Sequence, residues 1–450
     1  MSAAAKLLLD GIEDFSKRFT DTSSVRIRFN SILDSYANLN LEPGSAIIIL
    51  TSNSFEFLQH WIAIVANGLV PVPASPSLKS TRILDLQESL KISGLVGAKI
   101  NPALYGANHY VEIGTLRFLE FRNTPAAYAP DEALILTSGT SGINTACVHS
   151  ISSMVNNAAM HNKALGIHSS DTQLLVLPMY YSYAMVAQAI GSMISGCKLI
   201  IDGPPFTVER FANLSHQKNI TVSAITPTLV REILQSNSCL PEIRVLSVGG
   251  DQLKSSDVDA IRTKPFVNEL YITYGLTEAG PRVATLAAHS ADVEQLNSVG
   301  LPLEGIETRI DSPRENEPGE LLIKTPTALH RKVGDNVTQP LRADGFLATG
   351  DLFTKDKLGV LRFVGRTKDF VFIRGEKVNT KSISQTAERH PAVRFAKTTL
   401  TTDGKLSLAV SPREDTSIET SDLSKFLEQR LQRFEMPAEI THASFTEFQK

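Results

Sequence analysis

Tryptophan occurs once and cysteine three times in 450 residues, and no apolar run is long enough to cross a bilayer. The last absence argues against a membrane-spanning helix. Cys147, Cys197 and Cys239 stand too far apart for a metal-knuckle spacing and are too few for a disulfide framework, which fits a reducing cytosol. Charge of one sign is also missing. Forty-four Lys and Arg against 47 Asp and Glu leave a formal charge of -3, so no broad basic surface is available for nucleic acid or anionic lipid. A small-molecule substrate is expected instead. The opening "MSAAAKLLLDGIEDFSKRF" has only a short apolar patch, interrupted by Lys6 and followed by Asp10, Glu13 and Asp14, unlike a secretory leader.

What is present is alternation. "SAIIIL" reads as a buried strand. "SFEFLQHWIAIVANG" follows as a helix, with Phe57, Trp61 and Val65 at helical spacing and Gly68 as its stop. Apolar runs at "GLVPV", "SGLVGA", "LLVLP", "CKLIID", "TVSAIT", "IRVLSVGG" and "ELYITYG" continue the series, with helices such as "VERFANLSHQ" and "TLVREILQ" between. This pattern predicts an α/β fold of parallel sheets covered by helices, with ligands at the carboxyl ends of strands. After about residue 300 helices become scarce, and "GELLIK", "GVLRFVG" and "DFVFIRG" read as a β-rich subdomain. The last stretch reads as helix, hairpin, helix, a small α+β domain joined near "GRTKD".

Four short stretches carry chemistry. In "LTSGTSG", the hydroxyls of Thr137, Ser138, Thr140 and Ser141 alternate with Gly139 and Gly142, which let backbone amides turn toward an anion. The same string also suits a plain polar turn. "YITYGLTEAG" offers the ring of Tyr274, a close-approach glycine at Gly275, Leu276, the hydroxyl of Thr277 and the carboxylate of Glu278. These suit an adenine, a phosphate and a magnesium ion, or a capped strand end. In "GFLATGD", Asp351 suits the two hydroxyls of a ribose or the closing of a turn after Gly350. Arg366 of "GRTKD" offers a guanidinium fork to ribose or phosphate, or an interdomain salt bridge.

In this order and at these separations, the loop "TSGTSG", then "YGLTE", "GELLIK", "TGD" and "GRTKD" resemble the adenylate-forming superfamily of acyl-CoA synthetases, peptide-synthetase adenylation domains and firefly luciferase. The resemblance covers nearly the whole chain. It implies ATP-dependent activation of a carboxylic acid to an acyl-adenylate with release of pyrophosphate, then transfer to the thiol of coenzyme A or of a carrier protein's phosphopantetheine. It further implies that Thr137 to Gly142 hold the pyrophosphate portion, and that Gly249, Gly250, Asp251 and Tyr274 enclose the adenine. Glu278 would bind magnesium, and Asp351 with Arg366 would fix the ribose. Lys368 falls at the family's hinge, between a large domain of residues 1–366 and a mobile one of 367–450, with Gly375 lining the thiol tunnel. The acyl pocket is expected beside the cluster Tyr180, Tyr181 and Tyr183, around Gly249, and at Gly275 and Leu276. No aspartate stands in "MYYSYAM" for a substrate ammonium, so an aryl or fatty acid is expected rather than an amino acid.

Two departures accompany the resemblance. Family loops continue Pro-Lys-Gly where this chain has Asn144, Thr145 and Ala146, so the loop ammonium is absent, and the familiar histidine of the acid pocket is replaced by Tyr181. The family's closing segment, whose last lysine reaches the α-phosphate, would begin at Lys450, the final residue here. That lysine is absent from the sequence, either because the segment is cut short or because the protein does without it, and slow adenylation is expected of the chain as it stands. A degenerate homologue that binds a nucleotide or acyl ligand without chemistry is the competing expectation.

Overall fold

The computed structural model describes residues 2–19, 22–121, 124–137, 145–312, 314, 317–335, 337–373, 376–401, 404–413, 416–433 and 435–443. Two compact units divide the chain. One comprises Met1–Arg309, Leu322–Thr349 and Lys355–Arg362, and the other Ile310–Leu321, Gly350–Thr354 and Phe363–Lys450.

In the first unit the alternating apolar runs become strands. Ala46–Leu50 lies between Val70–Pro73 and Ile92–Gly97 in parallel, and two antiparallel strands, Leu116–Glu120 and Val111–Ile113, extend that sheet. Ile47, Ile48 and Ile49 are wholly buried, as expected of a strand covered on both faces. The helix Phe55–Ala66 starts where the Ser54 hydroxyl accepts from the Phe57 amide and ends before Gly68, whose φ of +69° suits a residue without a side chain. Its Phe57, Trp61 and Val65 are buried, so the helical spacing in the sequence marks the core face. Each such side chain contributes roughly 1.5–3 kcal/mol of burial.

A second, seven-stranded sheet holds the middle of the chain. Its strands Lys198–Ile201, Thr172–Leu175, Val222–Ile225, Ile243–Val248 and Val267–Gly275 run parallel. Arg282–Ala287 and then Leu301–Pro302 complete one edge in antiparallel sense. Alternation alone predicts parallel neighbours. The turn after Glu278 is too short for a crossover helix, so the next strand must return antiparallel.

A third sheet joins distant segments: Glu132–Leu136 pairs with Thr145–Ser150, which pairs with Arg331–Gly334. Among the described residues no helix is long and apolar enough to cross a membrane. The second unit contains the hairpin Phe370–Ile373 with Glu376–Asn379 and the helices Thr380–Ala387 and Thr420–Glu428. Its sheet comprises Val393–Leu400, Leu406–Pro412 and Glu439–His442, and Val393, Leu408, Leu423 and Leu427 form the buried centre.

Candidate active site

The parallel strands deliver their carboxyl ends side by side, with Ile225 opposite Val248 and Val248 opposite Ile272. Gly249 follows one of these ends and Gly275 to Glu278 the next. The Thr273 hydroxyl donates to the Val248 carbonyl at 2.9 Å, which ties the two ends together. A side chain at Gly249 would begin 2.4 Å from the Thr273 hydroxyl oxygen, and one at Gly275 would begin 2.2 Å from the Pro281 carbonyl oxygen. Both glycines are therefore required by close approach. Gly250 and Asp251 continue outward into solvent, and the Asp251 carboxylate accepts from the Gln252 amide at 2.7 Å. Tyr274 and Leu276 are half-buried at the strand end.

Thr277 and Glu278 open the short turn Thr277–Ala279, and the three-stranded sheet supplies its surroundings. His149 contacts the Thr277 carbonyl through Nε2 at 2.8 Å, and Ser182 and Thr277 pair through their hydroxyls at 3.3 Å. Lys332 places Nζ 2.6 Å from Glu278 Oε1, with about a quarter of the lysine side chain exposed. Burial works against the Lys332 charge, but the neighbouring carboxylate outweighs it and raises the pKa. The backbone ladder explains how Lys332 arrives. It lies opposite Cys147, and Gly334 lies opposite Thr145. Residues 145 and 147 share a face, so Lys332 is the diagonal neighbour of Thr145, within reach of a long side chain.

The Thr145 and Thr137 hydroxyls meet at 2.6 Å. Both line a cavity that also includes Arg82, Tyr180 and Tyr181. Ser138, Gly139, Thr140, Ser141 and Gly142 lie outside the described residues. The strand is anchored on its far side by Glu132, which accepts from both terminal nitrogens of Arg331 at 2.7 and 3.0 Å.

His149 is fully buried, and burial holds its pKa down at about 4. An unfolded histidine takes its proton near pH 6.5. Between those values the unfolded state binds more protons, so stability is present above about pH 6.5 and is lost as pH falls toward 4. The loss from this one group approaches about 3 kcal/mol. Buried His161, also shifted downward by desolvation, acts with the same sign. Urea midpoints of H149Q are expected to fall less than those of the parent across this window. An equally steep decline would show that His149 is not among the groups responsible.

The Tyr180 and Tyr181 rings meet at a centroid distance of 4.7 Å, tilted by 58°, on the side of Thr137 and Thr145. It is Tyr183 that reaches the central strands, contacting the Ser247 hydroxyl at 3.0 Å and Thr273 at 3.4 Å and passing close to Gly249. Tyr183 lies in a π-helical stretch, Tyr183–Ile190, a geometry common at functional sites.

In the second unit Arg366 Nε lies 3.3 Å from Asp351 Oδ1, with Asp351 nearly buried and Arg366 about half exposed. Asp351 belongs to the strand Leu347–Lys355 rather than to a closing turn. Gly350 before it has a φ of +70°, and its amide donates to Glu320 Oε1 at 2.8 Å. Lys368 falls in the turn Thr367–Asp369, its side chain outside what is described, and Gly375 lies outside the described residues altogether.

Sequence reading missed Lys332, His149, Arg82 and Arg282. "HRKVG" alternates charge with an apolar residue, a strand signal, but nothing local says that its lysine faces Glu278. Among the described residues no three His, Cys, Asp or Glu groups gather as a metal cage. A lone carboxylate at Glu278 fits magnesium in the mode where phosphate and water supply most of the ligands.

Comparison with known proteins bears on the family and the fold. The 4-coumarate–CoA ligase of Vanilla planifolia is 24% identical over 428 residues, covering 86% of this chain and 77% of the relative. The 2-succinylbenzoate–CoA ligase of Bacillus velezensis is 25% identical over 420 residues, covering 89% and 84%. Among solved structures, the o-succinylbenzoate CoA synthetase of Bacillus subtilis in complex with its acyl-adenylate intermediate superposes with a TM-score of 0.80 at 21% identity, covering 93% of this chain and 88% of that one. ATP-bound MatB from Rhodopseudomonas palustris gives 0.76 at 20%, covering 92% and 88%. The family model described as AMP-binding enzyme matches residues 35–330. With well over half of its length matched, this chain belongs to the AMP-binding enzyme family, within the adenylate-forming superfamily.

Proposed function

We propose that the chain activates a carboxylic acid with ATP and then passes the acyl group to a thiol, coenzyme A first among the acceptors. The observation that carries this reading is the Glu278 and Lys332 pair at the carboxyl ends of the parallel strands. A carboxylate and an ammonium beside two close-approach glycines suit a metal-loaded polyphosphate. An oxygen of the acid attacks the α-phosphorus, the bond to the bridging oxygen breaks, and pyrophosphate leaves with the electron pair. Negative charge grows on the departing phosphates, so fixed cations and donors supply most of the rate. Lys332 supplies the cation that Thr145 does not. The Thr137 and Thr145 hydroxyls add donors, and Glu278 is the carboxylate placed to hold magnesium, whose charge would neutralise phosphate oxygens.

Tyr274 offers its face to the adenine. Asp351, accepting from ribose hydroxyls, and Arg366 are assigned to the sugar, with Lys368 as the hinge and 367–450 as the moving part. Three unpaired cysteines suit a cytosolic enzyme. The test is a screen of carboxylic acids for acid-dependent pyrophosphate release, followed by mass analysis of coenzyme A and of a carrier-protein phosphopantetheine as acceptors. Absence of release with every acid, alongside intact ATP binding, would overturn the reading. It would favour a non-catalytic binding homologue, for which Thr145 in place of the loop lysine is the supporting observation.

A further inference from the structure

Arg282 is a charged side chain in an apolar place. It is 2% exposed, and its Nε and Nη2 hydrogens find no acceptor in the protein. Among the described residues no carboxylate forms an ion pair with it. Its guanidinium carbon stands 4.9 Å from the centroid of the Tyr183 ring. Its other ionisable neighbour is buried His161, whose Nδ1 also lacks a partner. Burial lowers the Arg282 pKa, and the group that opposes the shift is the Tyr183 phenol rather than a carboxylate. An uncompensated buried guanidinium is destabilising by an amount that packing alone does not offset.

Its position gives the reason. Arg282 lies opposite Gly275 in the antiparallel ladder, at the start of the strand that follows the Glu278 turn. The Tyr183 ring it covers is the one that reaches Ser247 and Thr273 and closes on Gly249. Gly249 and Gly275 are where the acyl part of the substrate is expected. The guanidinium therefore lies beside the strand ends where the acyl part is expected, with two donor nitrogens uncommitted.

We propose that Arg282 recognises a second anionic group on the acid, so that the substrate class is a dicarboxylic acid, or an acid with an equivalent remote anion. This rests on the acid-activating reading above. One carboxylate of the substrate reacts with ATP. The other pairs with the fork of Arg282, and the stem between them lies along Gly249, Gly275 and the face of Tyr183. A plain aryl or fatty acid would leave the guanidinium without its counter-charge and would be rejected for that reason.

Calorimetric titration of the full chain with malonate, succinate, glutarate, adipate and phthalate, and with the mono-methyl ester of each, tests the assignment. At least one diacid is expected to bind roughly thirtyfold or more tightly than its half-ester, the usual scale for a buried charge partner. R282M is expected to erase that difference and R282K to keep most of it. R282M is also expected to melt a few degrees higher than the parent, because an apolar side chain of similar length removes an uncompensated charge. A purely structural arginine would lower the melting temperature instead.

Equal binding of diacids and half-esters to the parent, as when water alone satisfies Arg282, overturns the proposal. So does a preference that survives in R282M, or no diacid binding at all. Failure of the underlying reading looks different. Diacid binding without pyrophosphate release removes the ligase and leaves the subsite, whereas release confined to monoacids removes the subsite and leaves the ligase.

Discussion

Replacing Glu278 with glutamine is expected to lower acid-dependent pyrophosphate release on the order of a hundred- to a thousandfold, the scale seen when a fixed electrostatic group is removed from a transition state. Glutamine keeps the shape of the side chain and withdraws its charge, which leaves Lys332 partly buried beside a neutral group. Some stability should be lost for that reason, since an ion pair broken on one side costs more than one replaced on both. The double variant E278Q/K332M separates the effects. It is expected to recover the thermal stability of the parent without recovering activity. Pyrophosphate release in E278Q within a few-fold of the parent would mean that Glu278 is an ordinary partner of Lys332 and takes no part at the phosphates.

Lys332→Met is expected to reduce the same rate roughly 10- to 150-fold, the equivalent of one charge-assisted contact of about 1.5–3 kcal/mol. The more informative result is the rescue. Thr145 and Lys332 are diagonal neighbours on one face of the strand pair, so T145K in the K332M background returns an ammonium to the same neighbourhood by a different route. Recovery of a large part of the lost rate is expected in T145K/K332M, with little change in T145K alone. A folded double variant as slow as K332M would show that the Lys332 contribution is not a transferable positive charge. Full activity in K332M itself would end the assignment sooner.

Much of the first unit was legible because its signals are local. "SAIIIL" and "IRVLSVGG" are short apolar runs bounded by turn residues, and the spacing of Phe57, Trp61 and Val65 marks a helix face without reference to any neighbour. Gly275 could be singled out as a close-approach glycine and Gly249 through the family resemblance, and a side chain at either would begin within 2.4 Å of a neighbouring atom. The residues that escaped are those whose meaning depends on register. Lys332 is 54 positions beyond Glu278, and only the pairing of Arg331–Gly334 with Thr145–Ser150 brings the two together. Arg282 carries no local signal in "GPRVATL", and its burial follows from the antiparallel return after Glu278 and from Tyr183 packing over it. Asp351 was read in part as the end of a turn, whereas Gly350 bends the chain inside a continuing strand.

The anchoring of Arg331 on Glu132 spans 199 positions of the chain. Contacts of that separation close slowly, because a long loop must be gathered before they form. During synthesis the hydroxyl-bearing strands therefore wait for a segment made much later, with one edge unpaired until it arrives. A recombinant fragment cut at residue 330, where the family match ends, would retain Glu278 and Glu132 but discard Lys332 and Arg331, leaving Glu132 with His330. Such a fragment should expose a bare strand edge and self-associate, and boundaries for truncated expression belong after Gly334.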